Sequence, residues 1–461
     1  MPSTAANRSR ATPPGSPPGR AEDAAIPQRE IRRSFAFGIV SGAMFSLAET
    51  LIDPPLVLTW FVSRLTTSNL LIGLVSPLGD AGWFLPQVLL APALQKMRRK
   101  MPMYVLGAIT RVSAWAALVV AVWLVRDPFW LLAVFYALYA LARLTACLSG
   151  IPFFDIVAKA IPARRRGSFF AWRQLVGGVL SLGGGWVVKA VLNHPGLHFP
   201  TAHALLFTLY TLALAISMAS FIGVREPPGI ASDGRLTLAS QLRRALQLVR
   251  ENGTYRRYIA AQVCLALGGI ALPFYGLYAK VALGAPEGMV GIYVAVRSAA
   301  ALVANLPWGR LSDRHGNRLV LRVMSAGSGL TVLTALGLVA LMGVLPWSGP
   351  WLPYLALPLF ILDGAVRPAG MIAGNNFLIE LVPEAERPLY LGFFNTLMGI
   401  AVLVSGLGGL LVDAFGFSGL FAASLALHVV GFLLAGGLPE PRACADRTGP
   451  TRPAARRTGA E

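Results

Sequence analysis

The sequence predicts an all-α membrane protein of twelve spanning helices in two repeats of six. Three observations predict it. The 461 residues are 55% hydrophobic and only 13% charged, with a mean hydropathy of +0.61, and a soluble chain of this size could not cover that much apolar surface. The apolar residues gather into about twelve runs near the ~20 residues that cross a bilayer. The net charge of +19 is carried by short basic clusters between the runs, which reads as loop topology rather than as a nucleic-acid surface.

Taken in order, Met1–Arg33 is rich in Pro, Ser, Ala and Arg and has no apolar core, so it is not a signal peptide. Residues 1–33 are expected to form a disordered cytoplasmic tail. The first bundle, 34–225, contains Phe35–Ser63, Leu70–Leu94, Met103–Val125, Phe129–Ala158, Ser168–Leu192 and Ala204–Val224. A polar linker, 226–256, carries an amphipathic stretch, Leu238–Arg250, suited to the cytoplasmic surface. The second bundle, 257–438, contains Tyr258–Leu283, Met289–Leu311, Leu319–Leu345, Trp351–Leu381, Pro388–Val412 and Phe417–Leu438. A second disordered tail, 439–461, follows.

Loop charge sets the orientation. Lys96, Arg98, Arg99 and Lys100 follow the second segment, and Lys159, Arg164, Arg165 and Arg166 follow the fourth. The central linker is flanked by Arg225, Arg243, Arg244, Arg250, Arg256 and Arg257. All share one side if both termini are cytoplasmic. The opposite loops carry few cations, among them Arg64 and Arg126, and lie beside Trp60, Trp123, Trp130, Trp347 and Trp351, the aromatic belt of a membrane interface. A multi-pass protein of the plasma (inner) membrane is expected. Cys147, Cys264 and Cys444 are far apart and read as free thiols or small apolar residues.

The chain repeats itself. Residues 72–95 align without a gap on 290–313, setting Gly73 on Gly291 and Gln95 on Asp313; IPARRRGSFF from Ile161 aligns on VPEAERPLYL from Val382, setting Arg166 on Arg387. Two six-helix halves follow.

The loop after the eighth segment reads GRLSDRHGNR, Gly309 to Arg318. Gly309 would let a helix end pack closely on a neighbour, Asp313 is an acceptor for the positive start of another helix, and Gly316 permits a tight reversal. Arg310, Arg314 and Arg318 hold the loop at the cytoplasm. The string resembles the loop signature of the major facilitator superfamily, G-x-L-[SA]-D-R-x-G-x-R, at all six fixed positions. The resemblance implies a twelve-helix secondary transporter in which Asp313 faces the other half, near Gly167 and within reach of Arg166 or Arg173. In the first half the signature is degraded: APALQKMRRK from Ala91 lacks both glycines and has Gln95 for the aspartate.

Ionisable groups deep in a bilayer cost several kcal/mol and are functional candidates. The first segment has Glu49 and Asp53 on one face, and Asp53-Pro54-Pro55 looks like an N-cap with proline in the first turn, so the helix is expected to break there. A proline kink with a structural carboxylate is the plainer alternative. Asp80 lies mid-way along the second segment, as a pathway group or as a hydrogen-bond partner of a neighbouring helix. Arg143 in the fourth needs a carboxylate, with Glu49 favoured. Superfamily exporters place an arginine here within R-x-x-Q-G; the Gln-Gly is missing. Arg111 lies nearer the cytoplasm and could snorkel, and Lys189 and Lys280 are expected to snorkel towards the opposite side. Arg297 has no partner nearby in sequence and needs a carboxylate or an anionic substrate. Asp363 and Arg367 are one turn apart and can pair along the helix face as an internal ion pair; otherwise they are pathway groups, with Asp363 the alternative proton carrier to Glu49. Gly392, Gly399 and Gly406 recur every seven residues, and Gly177, Gly178, Gly183, Gly184 and Gly185 cluster in the fifth segment; such faces allow close, sliding contact. The superfamily's antiporter signature on that helix needs a proline, which does not follow Gly185.

No G-x-x-x-x-G-K-[ST], G-x-S-x-G or H-E-x-x-H occurs, so neither ATP drive nor hydrolysis is expected and the chain is read as no enzyme. His194, His198 and His203 share a loop with Pro195 and Pro200, which denies them helical spacing as metal ligands. The expectation is transport of a small organic solute by alternating access. Proton-coupled export of amphipathic compounds leads, ahead of uptake of a polar solute such as a sugar or a transporter-like sensor or scaffold. Glu49 is the expected proton carrier. The partners are a small solute, protons and the bilayer, with no cofactor, metal or nucleic acid, and the chain is expected to be a monomer.

Overall fold

The structure, a computed structural model, describes residues 27–229 and 238–440 apart from positions 88, 89, 91, 92, 95, 345, 346 and 383–385. Most of both tails, Gln95 and Cys444 lie outside the described residues. In chain order the helices are α1 (Gln28–Leu51), α2 (Asn69–Phe84), α3 (Met101–Leu124), α4 (Pro128–Leu144, resuming over Ala146–Ala160), α5 (Ala163–Leu192) and α6 (Thr201–Ile222). A linker helix, Leu238–Glu251, precedes α7 (Gly253–Gly268, resuming over Leu272–Val281), α8 (Gly288–His315), α9 (Asn317–Val344), α10 (Leu357–Leu381), α11 (Arg387–Ser405) and α12 (Gly408–Gly436). Among the described residues ten helical spans are long and apolar enough to cross a bilayer. The remaining two of the twelve are the shorter α2 and α11.

α1 begins inside the stretch expected to be disordered. Glu30 in its first turn favours the positive helix start and pairs with Arg225 at the end of α6, while Ile31 is buried. Polar caps start other helices: Asp127 accepts from Trp130 N at 3.0 Å, and Asn252 from Tyr255 N at 2.9 Å. α3 has no cap of its own. The buried carboxylate of Glu226, beyond α6, accepts from the backbone N–H of Lys100 and Met101 and from Lys159 Nζ.

The packing repeats. In the first half α1 packs on α5 and α6, α3 on α4 and α6, and α2 on α4; in the second, α7 packs on α11 and α12, α9 on α10 and α12, and α8 on α10. Each pairing recurs six helices later. The halves join along α2, which packs on α11 and α12, and along α5, which packs on α8, and glycines of both predicted small faces lie there. A Cβ at Gly399 would stand 3.0 Å from Leu85 and one at Gly185 2.7 Å from Ala295.

The halves meet most closely on the face opposite the termini. There Lys280 Nζ donates to Ser63 Oγ at 2.8 Å, Asn69 Nδ2 to Asp413 Oδ1 at 2.7 Å, and Arg64 pairs with Glu287 at 3.3 Å. On the terminal face Gly167, Gly309 and Gly392 look into open space. Among the described residues the far face is thus sealed, and the terminal face is parted as far in as the Asn395–Gln87 hydrogen bond at 3.0 Å. Gly309 does not pack on a neighbour in this arrangement, which corrects the expectation for it.

Gly316 does make the reversal, with φ 81°, and a Cβ there would lie 2.4 Å from the Glu440 carboxylate. That carboxylate accepts from Arg318 N at 3.1 Å, and Arg318 also donates to Gly436 O at 3.0 Å. The signature loop is therefore clamped to the end of α12. Ser312 and Asn317 join at 2.7 Å inside the loop. Arg166 donates to the carbonyls of Ile161 and Ala158, and Arg173 to Gly38 O, so both are engaged within the first half.

Candidate functional site

The site begins with the break in α1. The helix ends at Leu51 and restarts as a π-turn at Pro54. The prolines cannot donate, so the Asp53 carbonyl accepts instead from Leu56, Val57 and Leu58. The Asp53 side chain makes no cap bond, contrary to expectation, and leaves the helix altogether. Both its oxygens lie 2.9 Å from Arg297 Nη1 on α8, in the other half. Arg297 Nε stands 2.6 Å from Asp363 Oδ2 on α10. Gly364 makes that contact possible: a Cβ there would sit 2.2 Å from the Arg297 carbonyl oxygen. Of the two readings open for Asp363, pairing with Arg367 is not the one seen, because Arg297 holds the aspartate across the α8–α10 crossing.

One turn before Asp53, Glu49 meets two arginines. Arg143 Nη1 lies 3.1 Å from Oε2, the partner expected, and Arg111 Nη2 lies 3.5 Å from Oε1. Arg111 is only 3% exposed, so it does not snorkel; pairing within the bundle replaces solvation by the interface. Its role escaped the sequence because a place nearer the cytoplasmic end of its helix offered the membrane surface as an alternative to a buried partner. All three groups belong to the first half. Tyr139 Oη and Arg143 Nε are buried and have no hydrogen-bond partner among the described residues; both lie beside Gly79.

Asp80 and Arg367 differ from these. Both are exposed, and neither makes an ion pair among the described residues. Asp80 stands in the fields of Arg367, Arg143, Glu49 and Arg297, so these groups surround one space. Arg367 shares its helix face with Asp363. Four carboxylates, Glu49, Asp53, Asp80 and Asp363, thus confront four arginines, Arg111, Arg143, Arg297 and Arg367. Lys280 reaches Ser63 at the far face, and Lys189 lies over the Trp186 ring. Among the described residues no group of His, Cys, Asp and Glu is placed to hold a metal. His203 is fully buried among Phe61, Phe199 and Phe207.

A helical, multi-pass membrane protein built from two repeats around a charged chamber is the class these features define. Residues 257–458 match the family model described as Major Facilitator Superfamily. The match covers the second half of the chain, where the intact loop signature lies, and the internal repeat carries the same topology into the first half. A D-xylose-proton symporter superposes with a TM-score of 0.67 at 15% identity, over 89% of this chain and 98% of the other. An uncharacterized protein of Mycobacterium tuberculosis is 24% identical over 284 residues, 60% of this chain and 53% of its own length. A Na(+), Li(+), K(+)/H(+) antiporter of Planococcus maritimus is 26% identical over 168 residues, 36% of this chain and 37% of its own. The chain spans about half the length, or less, of the curated relatives it matches.

Proposed function

We propose that the chain carries a small organic solute across the membrane by alternating access in exchange for protons, with export of amphipathic compounds as the direction. The observation that carries the reading is the Asp53–Arg297 pair, which ties one half to the other at the chamber. In alternating access the halves rock as bodies about the site. A proton carrier must then meet an arginine in one state and lose it in the other, because burial and a nearby cation pull proton affinity in opposite directions.

Glu49 meets that demand poorly, since Arg111 and Arg143 ride in its own half. Asp53 meets it well. A proton on Asp53 removes the tie and frees the far face to open; Arg297 keeps Asp363 and is never left unpaired, which matters because an unpaired buried charge costs several kcal/mol. Loss of the proton restores the tie. A second reading, exchange of a monovalent cation for protons, is favoured by the exposed carboxylate of Asp80 and by the name of the Planococcus maritimus relative.

The test is transport into proteoliposomes of a panel of dyes, sugars and alkali cations, with and without a pH gradient. Gradient-driven movement of an organic compound is expected, lost in Asp53→Asn with solute exchange retained. Indifference of the wild type to the gradient, or full gradient-driven transport by Asp53→Asn, would overturn the reading.

A further inference from the structure

Six of the eight chamber charges are matched within the protein. Glu49 is shared by Arg111 and Arg143, and Arg297 by Asp53 and Asp363. The two left over have opposite signs and belong to opposite halves: Asp80 on α2 and Arg367 on α10. They are also the two that the parted terminal face leaves exposed. Arg367 lies one turn beyond Asp363, which already reaches Arg297. Asp80 lies between Gly79, against Tyr139, and Gly82, where a Cβ would stand 2.8 Å from the Arg143 Cβ; this close approach fixes where α2 presents the carboxylate.

We infer that Asp80 and Arg367 form the recognition pair for a zwitterionic solute, its ammonium on Asp80 and its carboxylate on Arg367. A solute with one charge would satisfy one residue and leave the other unpaired as the chamber closes around it, and dehydrating an unmatched charge is expensive. A solute with both charges satisfies both residues and links the halves. Arg367 suits the acidic end because a guanidinium binds a carboxylate through two parallel N–H donors. This deepens the transport reading and rests on it for purpose, but recognition is measurable without transport.

The experiment is calorimetric titration of the purified chain with leucine and three derivatives: leucinamide (cation only), N-acetylleucine (anion only) and N-acetylleucinamide (neutral). Leucine is expected to bind at least tenfold more tightly than any of the three. Asp80→Asn should bring leucine level with N-acetylleucine, and Arg367→Gln should bring it level with leucinamide. Both side chains are exposed, so both variants should melt with the wild type, and the melt is the folding control. The inference is overturned if a singly charged or neutral member binds as well as leucine, if none binds, or if the two variants leave the charge preference unchanged. Cation-only binding would redirect Asp80 to cation exchange. Charge-selective binding without gradient-driven transport would instead sink the transport reading and leave the recognition pair standing.

Discussion

Replacing Asp53 by Asn should tilt the protein towards its far-face-open state, by an amount the structure lets one estimate. Arg297 Nη1 lies 2.9 Å from both carboxylate oxygens, and the two side chains are 13% and 5% exposed. At an effective dielectric of about 20, that separation corresponds to roughly 6 kcal/mol of gross Coulomb attraction. Desolvation cancels part of it, and Asn keeps a hydrogen bond worth about 1 kcal/mol. A net loss of roughly 2–3 kcal/mol remains, or about 30- to 150-fold in the ratio of the two states. Electron–electron double resonance between spin labels at Arg126 and Ser348, both in far-face loops, would read it once Cys147, Cys264 and Cys444 are replaced. The long-distance population should rise in Asp53→Asn. Unchanged distance distributions in the variant would refute the claim that this pair ties the halves.

Glu49→Gln leaves two buried arginines without their carboxylate, so it should lower stability by about 3–5 kcal/mol, with partial recovery in Glu49→Gln/Arg143→Gln; a wild-type thermal melt in detergent would contradict it. Glu226→Ala removes the acceptor for two backbone N–H groups and Lys159 and should cost about 2 kcal/mol, visible in hydrogen exchange as faster opening at Lys100 and Met101 and not across α9. Gly316→Ala combines a left-handed backbone with a clash at Glu440; it should cost roughly 1–3 kcal/mol and release the loop from α12, with proteolysis near residue 316 as the readout and Glu440→Ala as the matching variant.

Composition, periodicity and loop charge were enough to draw the helices, because burial in lipid demands long apolar runs whatever the tertiary contacts. The α1 break was legible for the same local reason: two prolines cannot continue the donor pattern. The pairing of Arg143 with Glu49 followed from scarcity, since few acids lie deep in the first half. Arg111 and the Asp53 side chain were misread, and the partner of Asp363 was missed, because their partners are set by helix crossings. Gly364 brings α10 onto α8 closely enough for Asp363 to reach Arg297, and no spacing within α10 carries that information. The start of α1 was missed because Gln28–Arg33 is polar, and the burial of Ile31 there comes from tertiary packing that no local pattern carries.

The four carboxylates and four arginines around the chamber have an electrical consequence. With all eight ionised their charges cancel, so the empty chamber moves no net charge when it reorients. A membrane potential does about 2.3 kcal/mol of work per elementary charge per 100 mV, and the fully ionised chamber offers it no net charge to act on. Voltage dependence would then enter only with the cargo: none for a neutral or zwitterionic molecule moving alone, and one charge for each proton that rides on a carboxylate.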